Sequence, residues 1–328
     1  MTLASSGDSI LIAAATYPEN LAIKTSLKLL GSDASTTVID GRAKGPVINI
    51  VNAVNVAIAK LTIRKGFSVS GGGVNFSYGT LTINDCFIGG NMAKGPQGFG
   101  GGVFNYQGTV IINNSTITGN RSEGQGGGVD NFSGTMTISN STISENKAVG
   151  GSGISNGGTL TISNSTISRN MAISTHTSGG GILNYATVTL SNSTISDNSS
   201  DRGGGIDNLG TSKVTLRNSI VAHHPDGGDC HGTMTSNGYN LSDDKTCKFF
   251  NRGDINDTDP KLGRLQNNGG PTRTHALLPG SPAIDAGNPN GCTDDHGHVL
   301  KTDQRGYPRP DKEDKNGCDM GAYERQQD

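Results

Sequence analysis

The chain has 328 residues with 50 glycines, no tryptophan, 16% charged residues and a formal net charge of −2. Glycine is far above its usual ~7%, but no Gly-X-Y period accompanies it, which excludes collagen; abundant Thr, Ile and Val favour strands and argue against a disordered chain. No Lys/Arg run marks a nucleic-acid surface, and no apolar stretch approaches the roughly 18 residues that cross a bilayer as a helix.

Residues 8–66 carry short apolar runs closed by Gly or Asn: DSILIAAATYPENLAI, SLKLLG, TTVIDG, PVINI and NVAIAKLTIRKG. They read as irregular first turns of a solenoid, with residues 1–20 contributing a cap, since an open strand edge would pair with other chains. Residues 1–66 form the first of three regions. The opening residues Met1, Thr2, Leu3 and Ala4 show neither the charged nor the apolar segment of a leader; an exported form is expected to carry its leader ahead of this sequence.

Residues 67–224 repeat. Gly-rich punctuation recurs at Gly71, Gly100, Gly126, Gly151, Gly179 and Gly203, at intervals of 29, 26, 25, 28 and 24 residues. Such a period indicates a solenoid, propeller or array. Within each unit the pattern has period two: Met136 and Ile138 alternate with Thr135 and Thr137, and Leu160/Ile162 and Val188/Leu190 repeat the scheme. That is a half-buried strand. The asparagine that follows (Asn114, Asn140, Asn164, Asn192, Asn218) suits a left-handed bend. The next strand turns Ile117, Ile143, Ile167 and Ile195 inward, and a second asparagine column (Asn91, Asn120, Asn146, Asn170, Asn198) closes it. Three short strands per unit and no helix predict an all-β fold, a right-handed parallel β-helix, in which like residues stack about 4.8 Å apart and asparagine amides bond along the axis. On that reading the Asn-Ser-Thr sequons at Asn114, Asn140 and Asn164 sit in a ladder and not on a glycosylation loop.

After His224 the composition shifts to Pro, Asp and Gly. Residues 225–328 are expected to form final irregular turns and a C-terminal cap. Of five cysteines, Cys86 lies alone among the repeats and four lie in this last region. No CxxC pair favours structural zinc. Cys230–Cys247 with Cys292–Cys318 is the simplest of three pairings, and disulfides would mean an oxidising compartment.

GDSILIAAATYPENLAI, LKLLG and TTVIDG resemble the opening turns of pectin-lyase-like β-helix proteins. The GGG[VI]xN and STISxN repeats are similar to those of bacterial polymorphic outer-membrane repeat proteins. GGDCHGTMTSNGYNL, DTDPKLGRLQNNGGPTRTHALLPGSPAIDAG and CDMGAYE resemble the choice-of-anchor Q domain of large bacterial surface proteins. The resemblance implies export, a β-helix and surface display. It implies no settled reaction, and the fold itself does not fix one.

Glycan hydrolysis needs carboxylates about 5–9 Å apart. Asp130 and Asp207 share a repeat column but stand three turns, roughly 14 Å, apart. Asp197, Asp201, Arg202 and Asp207 form the best acidic-basic cluster of the repeats. His223, His224, Asp226 and His231 are the densest potential transition-metal ligands, although His224 falls in the asparagine column. Asp311, Asp314, Asn316 and Asp319 form a degenerate calcium-type loop, so calcium is the one expected cofactor. Thr135, Thr137, Thr159 and Thr161 belong to a flat Thr-x-Thr face, and Thr116/Thr118, Thr142/Ser144, Thr166/Ser168 and Thr194/Ser196 to a second. Such arrays resemble the ice-binding face of β-solenoid antifreeze proteins. Tyr106, Phe132 and Tyr185 follow the Gly loops and either line a glycan surface or stack in the core. Adhesion or glycan recognition without catalysis is the leading expectation, with an extracellular glycan or cell-surface ligand as partner. A polysaccharide lyase or glycoside hydrolase comes second and ice binding third. The sequence does not fix an oligomeric state.

Overall fold

The computed structural model describes residues 4–294, 297–311 and 317–326. It is a parallel β-solenoid, and no described residue is helical. Three long sheets run along its axis, with ten, ten and nine strands, and a fourth has five. The first sheet contains the five-residue strands Thr135–Ser139, Thr159–Ser163 and Thr187–Ser191; the second contains Thr142–Ser144, Thr166–Ser168 and Thr194–Ser196; the third contains Val129–Asn131, Ile154–Asn156, Ile182–Asn184 and Ile206–Asn208. The fourth is made of two-residue strands such as Arg121–Ser122 and Lys147–Ala148, so the middle turns have four strands where three were expected.

The alternation read from the sequence is the burial pattern observed. Met136, Ile138, Leu160, Ile162, Val188 and Leu190 are buried in one continuous core with Ile117, Ile143, Ile167 and Ile195. Register is pinned turn by turn, Thr135 over Thr159 over Thr187 and Ile143 over Ile167 over Ile195. A one-residue slip would turn every core side chain to solvent.

The corners explain the glycines and asparagines. Asn114, Asn140, Asn164, Asn192 and Asn218 all have φ between 47° and 51°, the left-handed bend between the first and second sheets. The first glycine of each triplet is also left-handed, and the second position is glycine in every turn but that of Ser152 and is tightly packed: a Cβ on Gly127 would lie 2.4 Å from the Ser152 carbonyl oxygen. Inside, two amide ladders run along the axis. Asn91, Asn120, Asn146, Asn170 and Asn198 donate in series over 2.9–3.0 Å, and Asn105, Asn131, Asn156, Asn184 and Asn208 over 2.8–2.9 Å.

The C-terminal region does more than close an end. After the last strands, Thr235–Ser236 and Leu241–Ser242, the chain turns back and lies along the second sheet. Gln304 donates to Thr142 at 2.9 Å and accepts from Thr166 at 2.6 Å; His275 bonds Ser168 at 2.9 Å; the Ala322 amide donates to Thr194 at 3.1 Å. The second Thr/Ser face, expected to be open and flat, is therefore covered at Thr142, Ser144, Thr166, Ser168, Thr194 and Ser196, all buried. The hydroxyls of Thr142, Thr166, Ser168 and Thr194 bind this chain's own tail. Cys230–Cys247 and Cys292–Cys318 are both formed, and Cys86 is a free, buried thiol whose pKa burial pushes up to about 12.

Candidate functional site

The third sheet presents the most varied chemistry. Its outward column, one residue per turn, reads Asn75, Phe104, Asp130, Ser155, Leu183, Asp207 and His231. One position past the inner asparagine ladder, a second column reads Tyr106, Phe132, Gly157 and Tyr185. These rings are not in the core: Phe132 is 47% and Tyr185 45% exposed, and Tyr106 is half-buried. Tyr106 and Phe132 stack at 5.7 Å between centroids, and Phe99 and Phe104 extend the aromatic ledge at 5.9 Å from each other. Thr135, Thr137, Thr159 and Thr161 lie on the first sheet, a different face, so the expected binding residues fall into two groups.

The column carries no ring at Gly157. Between Phe132 and Tyr185, two strand spacings or roughly 9–10 Å apart, opens a pocket of about 280 Å³ lined by Gln125, Asp130, Phe132, Ser155, Gly157 and Tyr185. Ser155 donates to the Gln125 side-chain Oε1 at 3.2 Å, and Gln125 Nε2 donates to the Tyr185 hydroxyl at 2.8 Å. Asp130 is 1% exposed and its Oδ2 has no hydrogen-bond partner. Burial raises its pKa to about 7. Tyr185 is also raised, by partial burial first and then by the charges of Asp130 and Asp207.

Farther along the same face, Asp207 is fully buried and held twice. Arg202 Nε donates to Oδ2 at 2.9 Å and His231 Nδ1 to Oδ1 at 2.9 Å, while Arg202 also reaches Ser178 at 3.0 Å. Of the four residues expected as an acidic-basic cluster, only Arg202 and Asp207 meet. Asp197 pairs with Arg169 at 3.8 Å, and Asp201 accepts from the amides of His176 and Thr177. Asp130 and Asp207 are three turns apart, as their shared column requires.

The expected transition-metal set is dispersed. His223 bonds Asp259 at 2.8 Å; His224 is buried, accepting the Asn198 amide on Nδ1 at 3.1 Å with Nε2 4.0 Å from Asp229; Asp226 accepts from Ser199 at 2.9 Å; His231 serves Asp207. Neighbouring positions in sequence point to different faces of the solenoid, and no cluster of three metal-ligating side chains occurs among the described residues. In the expected calcium loop, Asp314 and Asn316 lie outside the described residues. Asp319 is buried and accepts the amides of Asp285 at 2.8 Å and Arg325 at 2.6 Å, a structural role within the tail. Asp311 is also buried.

Sequence reading did not single out Gln125, Ser155 or Gly157, nor the pairing of His231 with Asp207. The signal was present in the variable position before each inner asparagine: Phe104, Asp130, Ser155, Leu183 and Asp207 break an otherwise regular repeat.

No family model matches the chain, and no curated protein sequence is similar to it. Among solved structures it is similar to the PL6 family alginate lyase AlyGC, at 12% identity over 84% of this chain and 53% of that one, with a TM-score of 0.30. An arginine-to-alanine mutant of that enzyme gives 12% identity, the same coverage and a TM-score of 0.29. The chain thus spans about half the length of each, and no residue is carried across at this level. No helix among the described residues is long and apolar enough to cross a membrane.

Proposed function

We propose that the third sheet is a glycan-recognition surface of an exported protein. The observation that carries this reading is the exposed aromatic ledge of Tyr106, Phe132 and Tyr185 running directly into a polar row of Gln125, Asp130, Ser155, Arg202, Asp207 and His231. Sugars present apolar C–H faces and hydroxyls together, and a surface of rings with fixed polar groups complements both. Two disulfides support an oxidising compartment, and the resemblance of the tail to bacterial surface proteins points the same way. The test is affinity electrophoresis of the intact chain through gels containing neutral and acidic polysaccharides. Retardation by at least one polymer, abolished in a Tyr106→Ala/Phe132→Ala/Tyr185→Ala variant, is the expected result; equal mobility in every gel removes the reading.

A second reading, polysaccharide cleavage, is favoured by one feature. Asp207 orients His231 through Nδ1, and the ring's Nε2 has no protein partner among the described residues. That arrangement suits a general base. A depolymerisation screen following new reducing ends and unsaturated-sugar absorbance tests it. Turnover lost in His231→Gln with binding retained supports catalysis; silence with every polymer that binds leaves recognition alone.

A further inference from the structure

The pocket at Gly157 has a composition that selects among sugars. Its walls are Phe132 and Tyr185, its floor is Asp130 and Ser155, and Gln125 bridges from floor to rim. No basic residue lines it. Arg202, whose charge acts on Tyr185, is held by Asp207 and Ser178. Asp130 Oδ2 is buried without a partner, an arrangement that costs free energy unless a ligand group supplies the missing bond. A uronate or sulfated sugar would have to bury its charge in this pocket with no basic lining residue to offset the lost hydration. A sugar hydroxyl both donates and accepts, and so matches the neutral carboxyl, whereas an ionised carboxyl covered by the sugar would lose hydration that a hydroxyl does not fully replace.

We propose that this pocket is a subsite for one uncharged pyranose residue, with its faces against Phe132 and Tyr185 and its hydroxyls on Asp130, Ser155 and Gln125. The proposal rests on the glycan reading and adds to it both the place and the class of sugar. Because burial holds Asp130 largely protonated below about pH 7, the carboxyl donates as well as accepts there. Above that range it only accepts and carries a buried charge.

The experiment is isothermal titration of the full chain at about pH 6 with hexasaccharides of glucose, mannose and galactose and with oligouronates of equal length. At least one neutral probe is expected to bind, about tenfold or more tighter than any oligouronate. Tyr185→Ala and Asp130→Leu are each expected to weaken that probe about tenfold or more, and Thr215→Ala, on the first sheet, to leave it unchanged. Asp130→Asn keeps a donor and an acceptor, so it should retain affinity at pH 6 and hold it at pH 8.5, where the wild type weakens. If Asp130→Leu does not fold by circular dichroism, the exposed Tyr185 and the Asp130→Asn pH profile decide. Unchanged affinity in Tyr185→Ala, or preference for an oligouronate, overturns the subsite while glycan recognition stands. If the wild type binds no glycan at all, both readings fall.

Discussion

At Asp130 a carboxyl sits where an ionised group has no compensation: buried, with one oxygen unpartnered and a pKa raised to about 7 by desolvation. The folded state therefore holds a proton that the unfolded chain releases near pH 4. The stabilisation is fully present below the unfolded pKa and is lost as pH rises through the folded one. Asp130→Asn should reduce the fall in stability between about pH 4 and pH 7, measured by urea denaturation across that range. Asp229, buried and raised to about 8, adds a loss of the same sign that begins in the same range and extends to slightly higher pH, so the variant's profile should flatten only in part. Asp207 is different because Arg202 and His231 satisfy it. Arg202→Ala should cost about 1–3 kcal/mol, since a bond to a fully buried carboxylate is lost while the arginine's own exposure limits the value of the pair.

The asparagine ladders are the element that converts repetition into a rigid rod. Asn146 donates to Asn170 and to the Ile117 carbonyl, and its oxygen accepts both the backbone and side-chain N–H of Asn120. Asn146→Ala would orphan several buried groups at once and should destabilise by about 3 kcal/mol or more in equilibrium denaturation. His224 ends this ladder, its Nδ1 taking the place of an amide oxygen, and burial lowers its pKa to about 4. The sequence reading of His224 as a member of the asparagine column anticipated that role. The periodicity also made the inward isoleucines and the left-handed corner asparagines legible, because both recur with every turn. The pocket was less legible. It arises where one turn carries Gly157 in the column of Phe132 and Tyr185, and only alignment of the turns in space turns that exception into a cavity.

Across the whole molecule, the tail acts as a lateral strap. Arg309 is fully buried, pairs with Glu324 at 2.7 Å and donates to Asn164 at 3.2 Å; Arg305 pairs with Asp303 at 2.7 Å and lies over the Tyr323 ring at 3.6 Å. Removing one partner of a buried ion pair leaves an uncompensated charge, so Arg309→Leu should cost about 3–5 kcal/mol. It should also loosen the tail over the second sheet, which hydrogen exchange at the Ala322 amide, bonded to the Thr194 hydroxyl, would register as lost protection. Covering this sheet leaves the first sheet's Thr-x-Thr rows as the only such array still open among the described residues.

The sequence alone determined the solenoid. Its period, its alternating strands and its corner residues are local features repeated until no other fold satisfies them, and hydrophobic burial then sets the register. Which surfaces are free was decided by the tertiary structure. The tail covers the second sheet through contacts between residues more than 100 positions apart, such as Thr142 with Gln304 and Asn164 with Arg309. The third sheet gathers Gln125, Asp130, Ser155 and Tyr185 from three successive turns. Neither arrangement has a local signature, because each depends on where distant segments come to rest on the stacked turns.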